Sequence, residues 1–150
     1  DHGQTGKRLR EFGAEFGATT GRPRRCGWFD AVMLREAATV NGFTELAINK
    51  LDVLSGIPEL RIATAYRVSG KLTHEFPMTL GEIEQAEPVY ETCAGWTEDL
   101  TGCRRWEDLP GSARQYVERV EALVGVPVHL ISIGPNRDET IVRTDPFRPA

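Results

Sequence analysis

The chain has 150 residues, 40% hydrophobic and 27% charged, with a formal net charge of -4 at pH 7. That length fits one domain able to bury a sizeable core, and no apolar run approaches the ~20 residues of a membrane span. The acidic balance argues against general nucleic-acid binding, for which a basic face is the usual footprint. Cys26, Cys93 and Cys103 are odd in number and lack metal-ligand or C-x-x-C spacing, so neither a disulfide framework nor a zinc site is expected. This cysteine usage, with no signal peptide in the sequence, points to a reducing, cytoplasmic compartment.

The opening "GQTGKR" imitates a phosphate-binding loop. That motif needs glycine where Asp1 stands and Ser or Thr where Arg8 stands. A helix from Lys7 to Phe16 accounts better for Leu9, Phe12 and Phe16 at helical spacing. Residues 17–30, "GATTGRPRRCGWFD", then break any regular element: three glycines loosen the backbone, and Pro23 pushes Arg22 toward an extended conformation. Arg22, Arg24 and Arg25 are therefore held on a loop beside Thr19 and Thr20. Guanidinium forks match carboxylates and phosphates, so the loop reads either as an anion site or as a solvated basic turn.

Trp28, Phe29, Val32, Ala37 and Val40 form a helical stripe stopped at Asn41-Gly42, and "ELAIN" follows as a short strand. The stretch after that strand, Asn49-Lys50-Leu51-Asp52, fits the N-K-x-D pattern by which GTP-binding proteins read guanine. A carboxylate accepts two parallel bonds from the N1–H and exocyclic amine of guanine, a donor pair that adenine lacks. A solvated turn is the alternative. "ELRIATAYRVSGKLTHEF" alternates on both sides of Ser69-Gly70 as a hairpin, with Ile62, Ala63 and Tyr66 facing the core. A helix over Pro110 to Val124, with Ser112 as N-cap, leads to a buried strand, "VHLISI", and a last short strand, "TIVR". The strand "VHLISI" leaves through Ser132, Ile133 and Gly134, a position where open sheets bind ligands or merely turn. The order of elements favours an α/β fold of mixed helices and strands with a β-hairpin. His2, His74 and His129 read as surface or core residues.

Four stretches taken together, GATTGRPRRCGWFD, NKLDVLSG, PVYETCAGW (88–96) and ISIGPNRDETI, resemble in order and spacing the C-terminal third of adenylosuccinate synthetases, over about Gly6 to Phe147. The resemblance implies a large α/β nucleotide-binding enzyme. It would be a GTP-dependent ligase that joins L-aspartate to IMP with magnesium, giving adenylosuccinate, GDP and phosphate, and would act as a cytoplasmic homodimer. It further implies that Ala18, Thr19, Thr20, Gly21, Arg22, Pro23 and Arg24 form the substrate loop. The threonines and Arg24 would take aspartate, Arg24 would also lie near GTP, and Arg22 would reach the IMP ribose. Lys50, Leu51 and Asp52, with Ser132, Ile133 and Gly134, would bind GTP, while Arg25 receives no role. The family's phosphate loop, catalytic aspartate, catalytic histidine and IMP-phosphate contacts precede this region. No catalytic residue and no metal ligand is therefore expected among these residues, and the chain alone is expected to be inactive. A GTP-driven switch using NKLD, or a non-catalytic interaction module, are the competing classes.

Overall fold

The computed structural model describes residues 3–145. The first helix, α1, spans Gln4–Phe12 and contains the "GQTGKR" residues from Gln4 onward, so that stretch is helix and not a phosphate loop. It stops earlier than its apolar spacing suggests. Gly13 closes it, Ala14 takes φ +49°, and Phe16 leaves the helical row to form an isolated bridge with Pro23. Phe12 remains 69% exposed, so Leu9 is the apolar residue of this helix that enters the core.

A two-residue strand, β1 (Phe29–Asp30), precedes α2 (Ala31–Asn41). Asp30 caps α2 by accepting the Met33 N–H at 2.9 Å, and Gly42 ends it at φ +66°, the left-handed position that glycine takes without a Cβ penalty. Capping consumes the start of the expected stripe. Trp28 and Phe29 precede the helix, Ala31, Val32 and Ala38 are its buried residues, and Val40 points outward.

Strand β2 (Leu46–Ile48) is followed by a 3-10 turn over Leu51–Leu54 and by the long strand β3 (Ile57–Val68). Ser69 and Gly70, both at positive φ, turn β3 into β4 (Lys71–Thr73), the expected hairpin. Helix α3 (Leu80–Gln85) opens on a Thr79/Glu82 capping box, and β5 (Glu87–Trp96) then lies antiparallel along β3. Apolar periodicity marks neither α3 nor β5 in the sequence. A register shift between Ala63 and Ala65 bulges β3 and explains why burial changes parity from Leu60 and Ile62 to Ala63 and Ala65. Ile62, Ala63 and Tyr66 are all buried, as expected.

Helix α4 (Gly111–Val124) begins after Pro110, which stands at the cap without a side-chain bond; Ser112 lies inside the helix and is not its N-cap. Tyr116, Val117 and Val120 bury one face of α4 against α2 and β5, and Gly125 ends it at φ +79°. Strands β6 (Val128–Ser132) and β7 (Thr140–Val142) complete the order. Two sheets result. In one, β3 pairs with β1, β4 and β5; in the other, β6 lies between β2, parallel to it, and β7, antiparallel. The fold is mixed α/β, with one core cluster running from Leu9 through Ile62 and Val117 to Ile131 and Ile141.

The motif PVYETCAGW coincides with β5, and its glycine has a physical reason. A Cβ on Gly95 would lie 1.8 Å from the Ile57 carbonyl oxygen, a backbone atom that no rotamer change can move. Gly95→Ala is expected to destabilise the protein by ~1–3 kcal/mol, read as a lowered urea midpoint. An unchanged midpoint would mean that the two strands do not approach this closely.

Candidate functional site

The parallel pair β2 and β6 delivers two loops to the same end of its sheet. After β2 the chain turns at Lys50, a non-glycine residue held at φ +59°, and the 3-10 turn then carries Asp52. After β6 the chain turns at Ser132 to Gly134. The two loops touch: the Lys50 N–H donates to Ser132 Oγ at 3.4 Å, and that hydroxyl donates to the Gly134 carbonyl at 3.2 Å. Between them opens a cleft of ≈ 570 Å³ lined by Asn49, Lys50, Asp52, Val53, Ser132, Gly134 and Pro135, with Phe12 to Ala14 as its far wall.

Asp52 is the chemically unusual member of this cleft. Its Oδ1 is buried and has no hydrogen-bond partner. Burial pushes its carboxyl above the ordinary aspartate range, with the negative charge of Glu139 adding to the effect and the backbone N–H groups of Asp52 and Val53 and the charge of Lys50 opposing it. An unpaired buried carboxylate oxygen costs free energy unless a donor arrives. Glu139 in turn shapes the second loop. It sits where a Cβ on Gly134 would be, 2.4 Å from its Oε2, and that oxygen accepts the Asn136 N–H at 2.7 Å.

Three of the expected nucleotide residues do not line the cleft: Leu51, Ile133 and, on the projecting arginine loop, Arg24. Leu51 is buried and lines an adjoining, largely apolar cavity of ≈ 300 Å³ with Leu9, Trp28, Tyr116 and Val120; Gly13, Asn49, Lys50 and Val53 border both spaces. Ile133 is fully buried, and its N–H donates to the Glu139 carbonyl at 2.9 Å. Their side chains therefore anchor the loops, whereas Lys50, Asp52, Ser132 and Gly134 border the cleft.

The arginine loop is a compact projection. Its neck is the Phe16/Pro23 bridge, closed further by Gly17 N–H to the Arg22 carbonyl at 2.8 Å and Gly21 N–H to the Gly17 carbonyl at 2.8 Å. Thr20 Oγ1 accepts the Arg22 N–H at 3.3 Å, and Gly21 sits at φ +63°. Ala18, Thr19, Thr20, Gly21, Arg22, Pro23, Arg24 and Arg25 are all exposed. None of them lines the 49–53 and 132–135 cleft.

Glu15 joins this projection to the cleft. One carboxylate oxygen accepts from Lys50 Nζ at 2.6 Å and the other from Arg24 Nη1 at 3.0 Å. Nothing in "GAEFG" marks that residue as functional from sequence. His74 and His129 do not line the cleft: His74 Nδ1 lies 3.2 Å from the Thr64 carbonyl oxygen, and His129 lies beside Glu45. His2 lies outside the described residues.

The adenylosuccinate synthetase family profile matches residues 1–141. The chain belongs to the adenylosuccinate synthetase family. It is 57% identical over 145 residues to the adenylosuccinate synthetase of Moorella thermoacetica, covering 97% of this chain and 34% of that protein. It is 54% identical to the Carboxydothermus hydrogenoformans enzyme, again over 96% of this chain and 34% of the relative. Among solved structures, the fully ligated adenylosuccinate synthetase of Plasmodium falciparum superposes with a TM-score of 0.91 at 37% identity. That match covers 96% of this chain and 35% of the other. The chain thus spans about a third of the length of the relatives it matches. These matches give no support to a GTP-driven switch protein. Among the described residues no helix is long and apolar enough to cross a membrane.

Proposed function

We propose that this chain is the C-terminal segment of an adenylosuccinate synthetase, and that the complete enzyme ligates L-aspartate to IMP at the expense of GTP. The observation that carries the reading is Asp52, one of whose carboxylate oxygens is buried without a partner, on the border of a cleft between two loops at the ends of parallel strands. Guanine presents a pair of adjacent donors that a carboxylate can accept. Lys50 and the Ser132 to Gly134 turn border the same cleft and would flank the base, while buried Leu51 and Ile133 hold the two loops in place.

The exposed arginine loop takes the other substrates in this reading. Arg24, with Thr19 and Thr20, would clamp the aspartate carboxylates, and Arg22 would reach the IMP ribose. Ala18, Gly21 and Pro23 would shape the turn that presents them. These groups bind and orient; they move no proton and no phosphoryl group. Phosphoryl transfer depends on positioning and electrostatics, and this chain would supply the positioning of base and amino acid only. Magnesium, when bound, would offset phosphate charge. The ion's ligands are proposed to lie outside this chain. A cytoplasmic homodimer with no nucleic-acid or membrane partner completes the proposal.

Adenylosuccinate formation, followed by ultraviolet absorbance, tests it. The complete enzyme carrying these residues is expected to form adenylosuccinate from IMP, L-aspartate and GTP, and the 150-residue chain alone to form none. Product from the chain alone would mean that the chemistry resides in residues assigned here to binding.

A further inference from the structure

Glu15 is the carboxylate through which the arginine loop and the cleft are joined. Its backbone is fixed on both sides: its N–H donates to the Arg10 carbonyl at 2.9 Å, and its own carbonyl accepts the Arg24 N–H at 2.9 Å. The turn through Ala14 at φ +49° then aims the side chain at Lys50 and Arg24 together. Lys50 Nζ is held a second time, by the Gly13 carbonyl at 2.6 Å. The partners are far apart in sequence, 35 residues for Lys50 and 9 for Arg24. The hydrogen bond from Lys50, with help from Arg24, keeps the Glu15 carboxyl below the usual range, so it is ionised at neutral pH.

We propose that Glu15 is a positioning residue that couples the two ligand loops, orienting Arg24 toward the amino-acid substrate and Lys50 toward the nucleotide base. This rests on the function proposed above. Both partners are largely exposed, with side-chain accessibilities of 59% for Arg24 and 48% for Lys50. Exposed ion pairs contribute little to stability, so the pair has scant value as a fold-holding device. A long cationic side chain left untethered, however, samples many rotamers, and a misplaced contact weakens ligand binding and catalysis. Glu15 lies outside both sets of residues that the resemblance assigned to ligands, and acts on the ligands only through Arg24 and Lys50.

The test is Glu15→Gln in the complete enzyme, which keeps the side-chain length and one acceptor oxygen but removes the charge. The KM values for aspartate and GTP are each expected to rise by roughly three- to tenfold, with the IMP KM and the thermal midpoint unchanged. Placed on an Arg24→Leu background, Glu15→Gln is expected to raise the GTP KM still, but to leave the aspartate KM where Arg24→Leu alone puts it. Glu15→Asp keeps the charge but is one methylene too short to span both partners, so it too is expected to raise at least one of the two KM values. Unchanged KM values in Glu15→Gln overturn the proposal. An equal rise in all three KM values with a lowered midpoint overturns it as well, because that is the signature of a structural residue. Absence of turnover in the unsubstituted enzyme overturns the functional reading beneath it, and is told apart by requiring no variant.

Discussion

Asp52→Asn in the complete enzyme is expected to shift base preference from GTP toward XTP by at least tenfold. Guanine offers two adjacent donors, N1–H and the exocyclic amine, and a carboxylate can accept both. An asparagine keeps one acceptor but presents an amine to the other, which repels the guanine amine and suits the C2 carbonyl of xanthine. The lost charged hydrogen bond costs ~1.5 to 3 kcal/mol, or roughly ten- to more than a hundredfold in affinity. The same substitution has a second, opposite signature. A carboxyl whose folded pKa is raised holds its proton more tightly when folded, so its ionised form lowers stability at neutral pH. That cost disappears as the pH falls through the folded pKa. The unliganded Asp52→Asn enzyme is therefore expected to melt higher at pH 7, with the difference shrinking as the pH is lowered into the carboxylate range. Nucleotide competition and thermal melting together decide the role: lower GTP affinity with a lower melting point would assign Asp52 to the fold and not to the base.

That double signature also shows where the sequence is informative. Asn49 to Asp52 and Ser132 to Gly134 are local motifs, each following a short apolar run that reads as a strand. The two loops were thus legible singly, whereas the parallel strand pairing that brings them to one cleft is a tertiary fact. Leu51 and Ile133 carry the right spacing but the wrong orientation, because alternate residues in such turns face the core and four letters do not say which. Apolar spacing extends helix α1 too far for a different reason. Phe16 has helical spacing from Phe12, yet pairing with Pro23 competes with the last helical turn and wins at Gly13. Ser112 is a good capping residue, but the chain already enters the helix at Gly111 after the extended Pro110. Glu15 was beyond reach altogether, since its role depends on a residue 35 positions away meeting it in space. Local chemistry is written in short stretches, whereas the coupling of one stretch to another is written only in tertiary contacts.

Arg24→Leu should act on a different substrate from Asp52→Asn. In the structure Arg24 lies at the base of the projecting loop, where its main-chain N–H bonds the Glu15 carbonyl and its Nη1 bonds the Glu15 carboxylate. Its side chain is 59% exposed, which leaves the guanidinium fork accessible to a ligand carboxylate. Leucine removes the fork without touching the cleft that holds Asp52, and the lost exposed ion pair with Glu15 has little effect on stability. The aspartate KM is expected to rise by well over tenfold. Removing one partner of a charge pair that is desolvated on binding costs ~2 to 5 kcal/mol, much of it the penalty for the carboxylate left without a partner. Lysine in place of Arg24 should recover part of this, since an ammonium restores charge but not the two parallel donors. A smaller rise in the GTP KM is expected as well, because Arg24 and Lys50 share Glu15 and the nucleotide would sit beside them. Arg22 lies further out on the same loop with its N–H bonded to Thr20, so Arg22→Leu is expected to raise the IMP KM and spare aspartate. Steady-state kinetics with each substrate varied in turn separates these outcomes. If Arg24→Leu leaves the aspartate KM unchanged while the GTP KM rises, the loop serves the nucleotide, and the aspartate carboxylates are held by residues outside this chain.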